Sequence, residues 1–295
     1  MSFAVITDTS ANLPTSLLRK RDITAVPFSY YIDGRQMVCT DTEAFDGDVF
    51  YDSIRAGTKV STSMVNLQSY LDCFREVLDR GEDLLYVGMS SGISGSYNCA
   101  VSAAEQLRGE YPDREICTVD TYGASLGEGF LVTMAADLRD RGMTAAETCA
   151  VLEERRTAMC QVFTVDDLMH LRHTGRLSNA AAVIGTVLNI KPLLKGNQIG
   201  QIVSFAKVRG RRRSVETIAA NYDRLVENPG EQVVGIAQAG CRADAEYLCS
   251  LLRRVNPPKD IMVVEYEPVT GSHVGPGALA LFFFGSRDFR SEGNL

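Results

Sequence analysis

Three times in its first half this chain repeats one order of elements: a short apolar strand, a turn rich in hydroxyl side chains, then a helix. Phe3 to Thr7 runs into Asp8-Thr9-Ser10 and a helix entered near Pro14, where proline suits the first helical turn. Leu84 to Met89 runs into Ser90-Ser91-Gly92-Ile93-Ser94-Gly95 and a helix with Tyr97, Ala100, Val101, Ala104 and Leu107 on one face. Glu115 to Val119 runs into Asp120-Thr121-Tyr122-Gly123-Ala124-Ser125-Leu126-Gly127 and a helix through about Asp140. Such alternation builds a mostly parallel sheet with helices on its faces. Ligands of open α/β sheets bind outside the carboxyl ends of the strands, where all three hydroxyl-rich turns fall.

The pattern changes after a polar helix ending near Arg156. A strand at Gln161 to Val165, a short helix at Asp166 to Arg172, and a hairpin of Ile190 to Leu194 and Ile199 to Val208 follow. Then come a helix at Ser214 to Val226, a strand at Val233 to Ala237, a helix at Ala243 to Arg254 and a strand at Ile261 to Tyr266. With 295 residues, two α/β domains are expected: 1–160 with a mostly parallel sheet and 161–295 with a mixed one. A further hairpin within 26–40, turning at Asp33-Gly34, can pack on either domain. The polar tail 286–295 is expected to fray.

Composition narrows the function. Hydrophobic residues at 45% and charged residues at 23% supply a sizeable core, and a net charge of −7 argues against nucleic acid and anionic membrane as partners. The one basic run, Lys207-Val208-Arg209-Gly210-Arg211-Arg212-Arg213, has no interleaved aromatic residue for base stacking and reads as a solvated helix start. Ala278 to Phe284, the longest apolar run, falls far short of the roughly 20 residues that span a bilayer, so it is expected as a buried strand and no stable membrane insertion is expected. The N-terminal residues lack the basic start and apolar stretch of a signal peptide, so the expected location is cytoplasmic. Eight cysteines are never closer than eight residues apart, which excludes C-x-x-C redox or zinc pairs.

Two places could carry chemistry. The Ser90 to Ser96 turn aims backbone N–H groups and a helix dipole at whatever lies there, which favours an anion; equally, its serines cap the helix and its glycines make the turn. Gly92-Ile93-Ser94-Gly95-Ser96 nearly spells a nucleophile elbow with the last glycine missing, so a serine hydrolase using Ser94 and His273 is the rival reading. Of the three histidines, His170 and His173 lack a third ligand of matching pattern for a metal, whereas His273 stands in Gly271-Ser272-His273-Val274-Gly275-Pro276-Gly277, read as a glycine-rich loop between strands.

Taken together, Thr7-Asp8-Thr9-Ser10, Thr62-Ser63, the Ser90 to Tyr97 turn, Gly175-Arg176-Leu177-Ser178 and His273-Val274-Gly275-Pro276-Gly277 resemble the DegV family of bacterial fatty-acid-binding proteins, from Phe3 to about Gly285. Leu188-Asn189-Ile190-Lys191-Pro192 and Lys207-Val208-Arg209-Gly210 fit the same family. The resemblance implies a two-domain α/β carrier, not an enzyme and without a cofactor, that binds a long-chain fatty acid. Thr62, Ser94 and His273 would donate to the carboxylate with the Gly95 N–H, and Arg176 and Ser63 would lie near the head group or a partner. That partner would be a fatty acid kinase that makes an acyl phosphate. Two departures stand out: Met64-Val65 follows Thr62-Ser63 where the family has Gln-Pro, and Thr174-Gly175-Arg176 replaces Gly-Gly-Arg. Burying about 15 methylenes at roughly 0.8 kcal/mol each gives about 12 kcal/mol gross, before the cost of immobilising the ligand. The tail would therefore supply affinity and the head group register.

Overall fold

The computed structural model describes residues 3–178 and 189–291. The first half runs through β1 (Phe3–Asp8), α1 (Thr15–Lys20), β2 (Ile23–Val26), β3 (Ser29–Ile32), β4 (Arg35–Val38), α2 (Gly47–Arg55), β5 (Val60–Ser63), α3 (Leu67–Asp79), β6 (Asp83–Gly88), α4 (Ser96–Glu110), β7 (Ile116–Asp120), α5 (Leu126–Asp140) and α6 (Ala145–Arg155). The second half runs through β8 (Met159–Thr164), α7 (Leu168–His173), β9 (Ile190–Gly196), β10 (Ile202–Arg209), α8 (Arg211–Leu225), β11 (Val233–Gln238), α9 (Arg242–Val255), β12 (Asp260–Glu265), α10 (Pro268–Val274) and β13 (Leu279–Phe284). Two units result: Met1–Phe45 with Val60–Arg156, and Asp46–Lys59 with Thr157–Leu295.

In the first unit β2, β1, β6 and β7 lie side by side in that order, all parallel. Leu84, Leu85, Tyr86 and Val87 of β6 are fully buried, the unbroken apolar run expected of an inner strand covered on both faces. A three-stranded antiparallel sheet, β4-β3-β5, stands beside it in sequence. Its turn is tight because Asp33 and Gly34 both adopt positive φ, at 50° and 81°. Val26, read as the hairpin's start, instead ends β2, and β3 pairs on its other side with β5, which carries Thr62 opposite Tyr30.

The second unit holds a six-stranded mixed sheet in the order β10-β9-β8-β13-β11-β12. Only β11 and β12 are parallel, and the other pairs are antiparallel. Val215, Ile218, Tyr222 and Leu225 recur on one face of α8 and join Leu248 and Leu252 of α9, Val162 of β8 and Leu281 of β13 in one core. The chain after β13 is held as far as Ser291: Phe289 and Arg290 are buried, the Lys195 ammonium donates to the Phe289 carbonyl at 2.6 Å, and Arg290 Nη2 donates to the Met159 carbonyl at 2.7 Å. The rest of the expected frayed tail, 292–295, and Leu188 of the family-like segment lie outside the described residues.

The segment around His273 is a helix and not a loop. Pro268 occupies its first turn, and the buried Glu267 carboxylate accepts from the Val269 and Thr270 N–H groups, both at 2.6 Å. Gly271 lies inside α10 for lack of room: a Cβ there would come within 1.9 Å of the Tyr51 hydroxyl. Gly275, at φ 80°, then ends the helix.

Candidate functional site

The first unit brings Thr62, Ser63, Ser94 and Gly95 into one neighbourhood. β5 ends at Ser63, and two residues on, the buried Val65 N–H donates to Ser96 Oγ in the first turn of α4 at 2.8 Å. Met64 lies exposed against the turn, its Sδ 3.0 Å from where a Cβ on Gly95 would stand. Any side chain at Gly95 would meet that methionine. Thr62 and Ser94 are half-buried and Gly95 is exposed.

The Ser90–Gly95 turn is shaped by its own hydrogen bonds. The Ile93 and Ser94 N–H groups donate to the Ser90 carbonyl at 3.2 and 3.1 Å, and the Gly92 N–H donates to Ser90 Oγ at 3.1 Å. Ser94 Oγ accepts from the Ser96 N–H at 3.2 Å, a bond that uses a lone pair and leaves the hydroxyl hydrogen for an acceptor. Gly95 heads α4 without a side-chain cap, at the positive end of a 15-residue helix. The arrangement can hold an anion through hydroxyl and amide donors.

The second unit brings Arg176 and His273 together. Arg176 follows Gly175, at φ 75°, and its guanidinium donates to the Thr174 carbonyl, while Thr174 Oγ1 donates to the His273 carbonyl at 3.4 Å. His170 Nε2 lies 2.5 Å from the Ser272 carbonyl, which ties α7 to α10. Burial, then the Arg176 charge and then His170, push the His273 imidazole down to about 4. At neutral pH it is therefore uncharged, with one ring N–H to donate. Burial also lowers the Arg176 pKa.

Sequence reasoning passes over a buried polar network behind the Ser90–Gly95 turn. Asp8, Ser10 and Glu128 are fully buried, and Ser10 Oγ is hydrogen-bonded to both carboxylates. Asp8 also accepts from Tyr86 Oη at 2.8 Å and from the Met89 N–H at 3.4 Å. Asp8-Thr9-Ser10 is visible as a motif, whereas Glu128 stands alone in an apolar helix with no local signal. Among the described residues no group of three or more His, Cys, Asp or Glu side chains could hold a metal ion, and no helix is long and apolar enough to cross a membrane.

Comparison with known proteins agrees with this architecture along nearly the whole chain. The family model described as "Uncharacterised protein, DegV family" matches residues 2–286. A DegV domain-containing protein of Clostridium perfringens is 38% identical over 283 residues, 96% of this chain and 97% of that one. Among solved structures, a DegV family protein of Thermus thermophilus described by its fatty acid binding superposes with a TM-score of 0.87 at 26% identity, over 97% of this chain and all of its own. A fatty acid binding DegV family protein of Streptococcus agalactiae gives 0.84 at 28% identity, over 97% and 99% of the two chains. DegV, a fatty acid binding protein of Bacillus subtilis, gives 0.82 at 26% identity, over 97% and 100%. With a parallel and a mixed sheet along a chain matched almost end to end, this protein belongs to the DegV family.

Proposed function

We propose that this protein binds a long-chain fatty acid in the cytoplasm, with Thr62, Ser94, the Gly95 N–H and His273 donating to the carboxylate and the acyl tail buried in protein. The observation that carries the reading is the Ser90–Gly95 turn at the head of α4, fastened to the end of the strand that bears Thr62, on a fold whose solved relatives bind fatty acids. Each donor adds a charge-assisted hydrogen bond of about 1.5–3 kcal/mol and fixes where the head group sits. The protein acts as a carrier and presents the carboxylate to a separate fatty acid kinase, with Arg176 and Ser63 at the head group or at the kinase contact. Native mass spectrometry of protein purified from bacterial cells should find about one fatty acid per chain. Protein that is empty and takes up neither palmitate nor oleate would overturn the reading.

The rival serine hydrolase is disfavoured by the surroundings of His273. A general base needs a basicity near the working pH, whereas this imidazole is pushed down to about 4 by burial, Arg176 and His170. Turnover of a p-nitrophenyl ester that is lost in Ser94→Ala would restore the hydrolase.

A further inference from the structure

We infer that Cys117 on β7 and Cys149 on α6 form a redox-active thiol pair, which a hydroperoxide oxidises to a disulfide that fastens α6 to the edge of the parallel sheet. The two cysteines are far apart in the chain, and no local spacing announces them. Oxidation of the pair needs no bound lipid.

The placement comes from how α6 lies along β7. The Ala146 N–H in the first turn of α6 donates to Glu115 Oε2 at 3.2 Å, just before β7 begins. Cys149 Sγ stands 3.9 Å from the Thr118 carbonyl oxygen, and the Arg156 guanidinium, just past α6, donates to the Asp120 carbonyl at 2.9 Å. Helix and strand thus advance together, with Cys149 level with Cys117 and Thr118. Strand alternation sets the face. Thr118 Oγ1 accepts from Tyr97 Oη of α4 at 3.3 Å, so the side chain of Cys117, its neighbour, points to the opposite face. There the Cys117 and Cys149 sulfurs are hydrogen-bonded to each other. β7 ends the sheet order β2-β1-β6-β7, and both cysteines are free and half-buried, which leaves the pair within reach of a small oxidant.

The two sulfurs are chemically unequal. At 3.9 Å the Thr118 carbonyl holds the Cys149 hydrogen weakly, so that hydrogen serves the Cys117 sulfur. The Cys149 thiol lowers the Cys117 pKa against burial and the Glu115 and Asp83 carboxylates. Arg108, whose guanidinium donates to the Ile116 carbonyl at 2.7 Å, adds to the lowering. The same thiol contact, then burial, then the charges of Cys117 and Glu153 raise the Cys149 pKa, with Arg156 opposing. Cys117 is therefore the sulfur that more readily becomes the thiolate, and Cys149 its proton-bearing partner. Burial instead pushes Cys73 and Cys241 up to about 11 and raises Cys249 as well, while Cys39 and Cys160 are buried.

The Cys117 thiolate attacks one oxygen of the peroxide and the O–O bond breaks, which leaves Cys117 as a sulfenic acid and releases hydroxide. The Cys149 sulfur then attacks the Cys117 sulfur. The S–S bond forms as the S–O bond breaks, and the hydroxyl leaves with the Cys149 proton as water. The two thiols lose two electrons, and the peroxide ends as two waters once hydroxide recovers the proton that Cys117 gave up.

Full-length protein, reduced and then exposed to about one equivalent of hydrogen peroxide, tests the pair. Mass spectrometry should find a product lighter by two hydrogens in which Cys117–Cys149 is the main disulfide, and dithiothreitol should reverse it. Cys149→Ser should stop at the Cys117 sulfenic acid, captured by dimedone, whereas wild type should give little adduct because Cys149 closes the bond first. Cys117→Ser should consume peroxide about tenfold more slowly than wild type. The wild-type peptide map answers the question whether or not either variant folds. A disulfide between other cysteines, a linkage between two chains, or survival of all eight thiols in wild type would overturn the inference. Dimedone capture in wild type equal to that in Cys149→Ser would overturn it too.

Discussion

The Val65 N–H donates to Ser96 Oγ at 2.8 Å, and this one bond joins the strand end that bears Thr62 to the helix whose leading turn bears Ser94. The amide is buried, so Ser96→Ala orphans it and should cost about 1–3 kcal/mol in urea unfolding. Fatty-acid affinity should fall as well, because Thr62 and Ser94 lose their common anchor. Unchanged stability would mean that water replaces the hydroxyl.

Thr62→Val and Ser94→Ala should each weaken oleate binding by about 10–100-fold, the equivalent of one charge-assisted hydrogen bond, without altering the circular dichroism spectrum. Affinity left intact in the double variant would place the carboxylate elsewhere.

His273 gives the stability a pH dependence whose sign is fixed by its lowered pKa. Between its ordinary value of 6.5 and about 4 the unfolded chain binds a proton that the folded protein refuses, so stability falls as pH drops through that window. The loss should reach about 2–3 kcal/mol near pH 4, and His273→Gln should flatten it. A bound carboxylate favours the imidazolium, so loaded protein should show a smaller loss than empty protein. Equal pH profiles for the two would remove His273 from the head group.

Arg176→Ala should retain bound lipid, since the tail dominates affinity, yet slow acyl-phosphate formation by a cognate kinase. Lipid content and phosphorylation rate are to be measured on one preparation. Equal loss of both would return Arg176 to a structural role beside Thr174.

Gly271→Ala should destabilise the second unit by about 1–3 kcal/mol or more, because the added methyl meets the Tyr51 hydroxyl within α10. Tyr51→Phe in the same chain removes that oxygen and should recover part of the loss, as read from thermal unfolding. No recovery would show that the aromatic ring and not the hydroxyl sets the limit.

What the sequence makes legible are the features that local chemistry repeats. Strand β6 is an unbroken apolar run, its serine turn follows at once, and α4 declares itself by Ala100, Ala104 and Leu107. β5 is illegible because Val60-Ser61-Thr62-Ser63 contains one apolar residue, and its pairing with β3 is what makes it a strand. The α10 segment misleads because glycine usually signals a loop, whereas Gly271 answers to Tyr51, 220 positions earlier in the chain. The buried network of Asp8, Ser10 and Glu128 is hidden for the same reason: Ser10 and Glu128 are 118 residues apart, and nothing near Glu128 foretells the partner.

The membership of Asp46–Lys59 in the second unit also has a consequence for synthesis on the ribosome. Phe50 and Tyr51 are buried in the finished protein, and Tyr51 Oη donates to the Tyr266 carbonyl, 215 residues later. At about 5–20 residues per second the acceptor emerges roughly 10–40 seconds after the donor. From about the middle of that interval, once Arg156 has emerged, the first unit has all the chain it needs to close, while the amphipathic α2 segment still lacks its partner and is available to any chaperone that recognises exposed aromatic residues.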